Sequence, residues 1–303
     1  MGERVLSRVL VVINPAAART HPDTVAAVMR TFSAGGWQGE VLATGGPGDA
    51  RRLAEYGVAE GVDVVAVFGG DGTTMQAAAA LVGTGVSLGV IPGGTGNLLA
   101  GNLRIPAHPV RAAEVIVKGR ARRLDLGRMS RRDGEHYFAV ACGAGYDARV
   151  MAGTAAAHKH KWKFAAYVAT TFRLLEELHM ARMKITVDGV EMETEAAMVL
   201  VANCGEVIPP LVRLRHGIQP DDGLLDVVLL RAGNLLESTR AIWDLLRDAP
   251  AQGQDRFVSF ARGREIRVET EPIEPVQLDG EPGGETPFTA TVVPGALNVM
   301  VPV

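Results

Sequence analysis

Residues 63–82 read DVVAVFGGDGTTMQAAAALV, an apolar run of strand length, a turn with three glycines, and an alanine-rich run that favours helix. A strand that empties through glycines into a helix start leaves free backbone N–H groups and the positive end of the helix dipole at one point, which is an anion site. The rhythm recurs on both sides. RVLVVINP, GEVLAT, DVVAVF and VSLGVI read as strands, and the first, third and fourth are near-continuous apolar runs of the kind covered on both faces. Between and after them lie helical stretches: HPDTVAAVMRTFSAGG, with Pro22 and Asp23 near its start and glycines at its end, then GDARRLAEYGVAEG, MQAAAALV and HPVRAAEVIVKG. Strand and helix in alternation require a parallel sheet with helices on both faces.

From about Arg120 the texture changes. ARRLDLGRM, EHYFAVACG, RMKITVDGVEMETEAAMVLVANC, GLLDVVLLRA, RFVSFARGREIRVET and PVQLDGEP are short strands separated by turn residues. WKFAAYVATTFRLLEEL and LLESTRAIWDLLRDA read as helices within this run. The fold class expected is an α/β N-terminal domain with a parallel sheet, followed by a mainly antiparallel β-sandwich domain. The domains are expected at 1–124 and 125–290, with 291–303 as a final strand that either ends the second domain or packs back on the first.

A chain of 303 residues accommodates two such cores. The net charge of -3 argues against a dedicated nucleic-acid binder. Cys142 and Cys204 sit far apart in apolar runs and read as buried free thiols of a reducing compartment, so cytoplasmic. The start MGERVLSRVLVVINP has too short an apolar core for a signal peptide, and Leu6 breaks the myristoylation pattern. Residues 72–103 carry no charge, but their glycines and Pro92 argue against a spanning helix. Residues 104–132 hold nine Arg or Lys against two acidic residues, and HKHKWKF (158–164) is a second basic cluster. Such clusters suit peripheral contact with an anionic membrane surface, each basic side chain contributing roughly 1 kcal/mol.

Three turns end predicted parallel strands: NPAAA (14–18), GGDGT (69–73) and PGGTGN (92–97). In an open α/β sheet, ligands bind beyond the carboxyl ends of the strands, where these turns can converge. Glycines admit a phosphate to the backbone, and Asn14, Thr73, Thr95 and Asn97 add side-chain donors. No Walker lysine is present, so the charge of a nucleotide requires a divalent cation, and Asp71 is placed to face Mg²⁺ directly or through water. CGAGYDA (142–148) mimics a dinucleotide fingerprint, but it lacks the acidic residue about twenty positions on and reads instead as a tight turn. The seven histidines show no zinc-ligand spacing.

NP after the first strand, GGDGTTMQ, IPGGTGN, DDGLLD and LDGEP together resemble the diacylglycerol kinase catalytic family. These are soluble bacterial lipid kinases akin to sphingosine and ceramide kinases, within an NAD-kinase/phosphofructokinase-like superfamily. The resemblance covers essentially the whole chain. It implies an ATP- and Mg²⁺-dependent kinase acting on a lipid hydroxyl in a cleft between the domains. Asn14, Pro15, Thr44, Gly70, Asp71, Gly72, Thr73, Gln76, Thr95 and Asn97 would form its nucleotide site. Asp222 would ligate Mg²⁺ by its carboxylate and Gln219 and Leu224 by their backbone carbonyls. Glu281 would take the proton of the lipid hydroxyl, and Asp71 would organise metal and water. The chain departs from the family pattern at Ala16–Ala18, where a small residue and a glycine are usual. It departs again at Gln76-Ala77, where Asn-Glu is usual, and at Leu98, where Asp is usual. The alternatives are an NAD kinase, which shares GGDGT, and a weakly or non-catalytic lipid- or nucleotide-binding regulator. The oligomeric state is open, a homodimer being one option.

Overall fold

The computed structural model describes residues 7–145, 148, 179–208, 212–214, 217–231, 237 and 258–303. The basic run 158–164 and the helix expected at 162–178 lie outside these residues, as does all but residue 237 of the helix expected at 235–249. Two compact units emerge, Met1–Leu124 with Gly295–Val303, and Asp125–Pro294.

The first unit alternates as its sequence pattern requires: β1 (Arg8–Ile13), α1 (Pro22–Ala34), β2 (Gln38–Ala43), α2 (Asp49–Ala59), β3 (Val64–Gly69), α3 (Asp71–Leu81), β4 (Ser87–Pro92), α4 (Leu98–Asn102), α5 (Pro109–Lys118) and the start of β5 (Arg120–Arg131). The strands pair in parallel in the order β2-β1-β3-β4. Every residue of β3 is buried, which explains its unbroken apolar sequence: a central strand sees helices on both faces. The helices contribute small side chains to the contact, such as Ala77 and Ala78 of α3 and Ala112 and Ala113 of α5. Pro22 and Pro109 start α1 and α5, where a missing N–H costs nothing.

The second unit contains the rest of β5, then β6 (Gly134–Phe138), β7 (Ala141–Gly145), β8 (Ala181–Val187), β9 (Val190–Ala196), β10 (Met198–Ala202), the short pair β11 (Glu206–Ile208) and β12 (Val212–Arg213), β13 (Leu225–Leu230), β14 (Val258–Gly263), β15 (Glu265–Glu271), β16 (Pro275–Leu278), β17 (Glu281–Glu285) and most of β18 (Phe288–Val301). One antiparallel sheet runs β14-β13-β10-β7-β16-β17, and β18-β15-β8-β9 form the second face. Their inward side chains make one core. Val199, Val201, Val227, Leu229 and Val276 come from the first sheet, and Met183, Ile185, Ile266, Val268, Phe288 and Ala290 from the other, joined by Met129 and Phe138. Apart from Ala290, each such side chain contributes roughly 1.5–3 kcal/mol when fully buried. The strand β8 shows the expected period of two, with Ala181, Met183 and Ile185 in and Arg182 out.

At its far end β18 pairs in parallel with β4, Asn298 opposite Ser87 and Val299 opposite Leu88, so residues 295–303 group with the first unit. Cys142 and Cys204 are buried free thiols, and burial pushes the Cys142 thiol well above its ordinary pKa. Among the described residues no helix is long and apolar enough to cross a membrane.

Two local expectations change. The glycines of CGAG lie within β7, not in a turn, and β7 pairs with β10 on one side and β16 on the other. A Cβ at Gly143 would lie 2.8 Å from the Val199 carbonyl oxygen, so this glycine serves close strand packing. EHYFAVACG is two strands with a break at residues 139–140, because the N–H groups there turn to the carboxylate of Asp279.

Candidate functional site

In the first unit the carboxyl ends of β2, β1, β3 and β4 stand in a row, and four turns leave them. Backbone hydrogen bonds stitch neighbouring turns together: Thr44 N–H donates to the Ile13 carbonyl (2.9 Å), Asn14 N–H to Phe68 (3.0 Å), and Gly93 N–H to Gly69 (2.8 Å). Three of these turns were legible as motifs. The fourth, Thr44–Gly48, joins them through Gly48, whose N–H donates to Gln76 Oε1 at 3.1 Å.

Side chains complete the interlock. Asn14 Nδ2 donates to Thr73 Oγ1 (2.9 Å), while its Oδ1 accepts the Ala16 N–H (3.0 Å), so one amide holds the NP turn against the glycine turn. Asp71 opens α3, where a carboxylate complements the helix dipole. Its two oxygens accept backbone N–H groups from the next turn, Oδ2 from Asn97 at 2.7 Å and Oδ1 from Leu98 at 2.6 Å. An aspartate in the middle of an anion-type turn thus satisfies the otherwise unpaired N–H groups at the start of α4. This arrangement needs only the main chain of residue 98, so Leu98 keeps it despite departing from the family pattern. Asn97 was expected to donate to a ligand; its amide closes on Gly94, accepting the Gly94 N–H (3.1 Å) and donating to the Gly94 carbonyl (2.9 Å). Asn97 has φ 50°, a left-handed conformation that asparagine tolerates better than most residues. Gly94 packs so closely that a Cβ there would lie 2.7 Å from Gly70 Cα. Gly70, Gly72 and Thr73 are half-buried, whereas Pro15, Gln76 and Thr95 are exposed.

In the second unit, LDGEP forms the hairpin between β16 and β17. Asp279 (φ 47°) and Gly280 (φ 83°) both adopt positive φ, as a two-residue hairpin of this twist demands. Glu281 is the first residue of β17 and is exposed. Asp279 is buried, and its carboxylate collects three consecutive backbone N–H groups, from Ala139 (2.7 Å), Val140 (2.8 Å) and Ala141 (2.9 Å). The role of Asp279 as a buried clasp leaves no local signal in the sequence, since the donors lie about 140 positions away.

The turn QPDDGL (219–224) is also held from outside. Asp125 donates its N–H to the Pro220 carbonyl (2.7 Å) and accepts the Gly223 N–H at Oδ2 (2.7 Å). Asp222 Oδ1 accepts the Leu224 N–H (3.1 Å), and its Oδ2 lies 3.5 Å from Arg262 Nη1. Arg262 is anchored by a two-point pair with buried Asp226, at 3.0 Å on each side, and by the Gly217 carbonyl (2.9 Å). Burial pushes the Asp222 carboxyl up; the Leu224 N–H and Arg262 oppose this, while Asp226 and Asp125 add to it. The Asp222 side chain keeps 25 % of its surface although its backbone is open.

Three carboxylates therefore surround this turn with one guanidinium among them. Hard oxygen donors with a surplus of negative charge fit magnesium, which takes one or two carboxylates and retains several waters. No cage of three or more His, Cys, Asp or Glu exists among the described residues, so any such ion keeps most of its hydration.

Comparison with known proteins identifies the family. Residues 8–129 match the diacylglycerol kinase catalytic domain, and residues 140–301 match the YegS C-terminal NAD kinase beta sandwich-like domain. A Mycobacterium tuberculosis protein named diacylglycerol kinase is 30% identical over 265 residues, spanning 84% of this chain and 82% of its own. A Pseudomonas aeruginosa protein named "Probable lipid kinase YegS-like" is 33% identical over 264 residues, with 84% and 82% covered. A Synechocystis relative is 28% identical over 258 residues, and there the match spans 58% of the relative's length. The crystal structure of a Bacillus anthracis diacylglycerol kinase superposes with a TM-score of 0.77 at 22% identity, over 98% of this chain and 97% of the other. The chain belongs to the diacylglycerol kinase catalytic family, a family of lipid kinases.

Proposed function

We propose that the protein transfers the γ-phosphoryl group of ATP to the hydroxyl of a lipid, diacylglycerol or a related lipid alcohol, with Mg²⁺. The observation that carries this reading is the row of four interlocked strand-end turns in the first unit. It sets the start of α3 beside the strand ends, a position that favours a polyphosphate, with no lysine in the turns to neutralise it.

On this reading Asn14, Pro15, Thr44, Gly70, Gly72, Thr73, Gln76 and Thr95 contact ATP. Asp71 and Asn97 hold the two glycine turns in register, and Asp71 also accepts from metal-bound water. Asp222, with the carbonyls of Gln219 and Leu224, would hold Mg²⁺, which supplies counter-charge for the phosphates when bound. Glu281 accepts the proton of the lipid hydroxyl as the lipid oxygen bonds to the γ-phosphorus. The bond from that phosphorus to the β,γ-bridging oxygen breaks, and its electron pair leaves with ADP. Positioning and electrostatics account for most of the rate in such transfers. We place the protein in the cytoplasm, touching an anionic membrane surface through basic residues of 104–132, of which Arg104, Arg111, Arg120 and Arg123 are exposed.

The test is a transfer assay with γ-labelled ATP, Mg²⁺ and diacylglycerol or a total lipid extract, beside a parallel reaction with NAD. Label in the organic phase is expected. Label on NAD, or stoichiometric ATP binding with no labelled product across a lipid panel, would overturn it. Glu281→Gln should lower kcat by about 10²–10⁴-fold with an unchanged melting temperature; near-normal turnover would remove Glu281 from the role of base. Binding to anionic vesicles should weaken between low and high salt, and salt-independent binding would refute the basic contact.

A further inference from the structure

The turn 219–224 and the Glu281 hairpin are distant in sequence, yet a short buried relay within the second unit joins them. Asn203 follows β10 and is 1% exposed. Its Nδ2 donates to two backbone carbonyls, Asp125 and Ala139, at 2.9 Å each. From Asp125 the relay reaches the turn through the Pro220 carbonyl and the Gly223 N–H, at 2.7 Å each. From Ala139 it reaches the hairpin, because the Ala139 N–H donates to Asp279 Oδ2 at 2.7 Å. Asp279 stands two residues before Glu281.

The amide orientation is dictated by its partners, since the opposite one would set oxygen against two carbonyl oxygens. Among the described residues it leaves Asn203 Oδ1 buried without a hydrogen-bond partner. Buried acceptors are normally satisfied, so an unused one marks a side chain retained for its other end. A serine offers one donor where this amide offers two, and glutamine is a methylene longer.

We infer that Asn203 is a positioning residue. By drawing the carbonyls of Asp125 and Ala139 onto one amide, it fixes the Glu281 hairpin relative to the Asp222 turn. The inference rests on the roles proposed for Glu281 and Asp222.

Asn203→Ser, which keeps one donor, and Asn203→Ala are compared with Ile266→Val, a core change on the other sheet. The first readout needs no catalysis. Hydrogen exchange should quicken by about tenfold in Asn203→Ser at both Gly223 and Ala139–Ala141, and at neither in Ile266→Val. Faster exchange on one side only, or on neither, overturns the inference. The second readout is kinetic. Asn203→Ser should lower kcat about tenfold with the ATP KM within about twofold, and should lower it no further in a Glu281→Gln background. Additive losses overturn the inference. Coupled exchange beside a fully active Glu281→Gln variant would overturn the base reading and, with it, the catalytic use of Asn203. Uncoupled exchange beside an inactive Glu281→Gln variant overturns the Asn203 inference alone.

Discussion

Asp71-Gly72 and Asp279-Gly280 are the same dipeptide, one in each unit, and in both the aspartate gathers backbone N–H groups from a distant segment. The surroundings differ. Asp71 is half-buried at the start of a helix, and its donors lie at the half-buried start of another helix. Asp279 is 8% exposed, has φ 47°, and serves three N–H groups at a buried break between β6 and β7. The dipeptide supplies a tight turn in either setting. What the carboxylate clasps, and how costly its loss would be, depends on whether water can replace it.

The largest expected effect comes from that contrast. Asp279→Ala leaves three N–H groups beside buried residues without their acceptor and should cost about 3–5 kcal/mol in urea unfolding of the second unit. Asp71→Ala should cost less, about 1–2 kcal/mol, because water reaches the start of α4; it should also abolish most phosphoryl transfer. Equal losses of stability at the two sites would break the comparison. Gly94→Ala sharpens it, since the first unit's clasp works only while two backbones touch. With a Cβ 2.7 Å from Gly70 Cα, the substitution should cost about 1 kcal/mol and weaken ATP binding in calorimetry. Gly46→Ala, with nothing within 4 Å of the added Cβ, should leave stability unchanged.

The smallest effect concerns Asp49, a half-buried relative of these clasps at the start of α2, just after the fourth turn. The Gly45 N–H and then Arg52 hold its carboxyl below the ordinary value. A depressed folded pKa adds stability above the unfolded pKa of about 3.9, and that stability is lost as pH falls through the folded value. Asp49→Asn should therefore lower the melting temperature by about 1 °C at pH 7, with the gap from wild type closing below about pH 4. A gap that does not narrow as pH falls below about 4 would assign the effect to packing.

The first unit was readable because its devices are local. Strand, glycine turn and helix start are contiguous, so GGDGT and PGGTGN announce themselves, and adjacent parallel strands bring their ends to one edge. Only Thr44–Gly48 carried too weak a signal to be grouped with them from residue types alone. The second unit was readable as a class, from alternation and turn residues, but not in its contacts. Asn203, Arg262 and the clasp of Asp279 were missed, because their partners lie 36 to 140 positions away. CGAG shows the reverse error: glycines read as a tight turn prove to be spacing between packed strands.

Sequence alone determined the features that neighbours along the chain impose on one another: the period of each element, the change of architecture near residue 120, the helix starts at Pro22 and Pro109, and the glycine turns. Hydrophobic periodicity and backbone sterics act over a few residues, so they are written locally. Tertiary structure decided which N–H groups each aspartate satisfies, that Asn203 spans two carbonyls, that Asp222 shares its turn with Arg262, and that β18 ends beside β4. Those outcomes depend on which strands become neighbours. A buried polar group takes whatever partner the packing leaves within about 3 Å, and that distance is set by the assembled sheets.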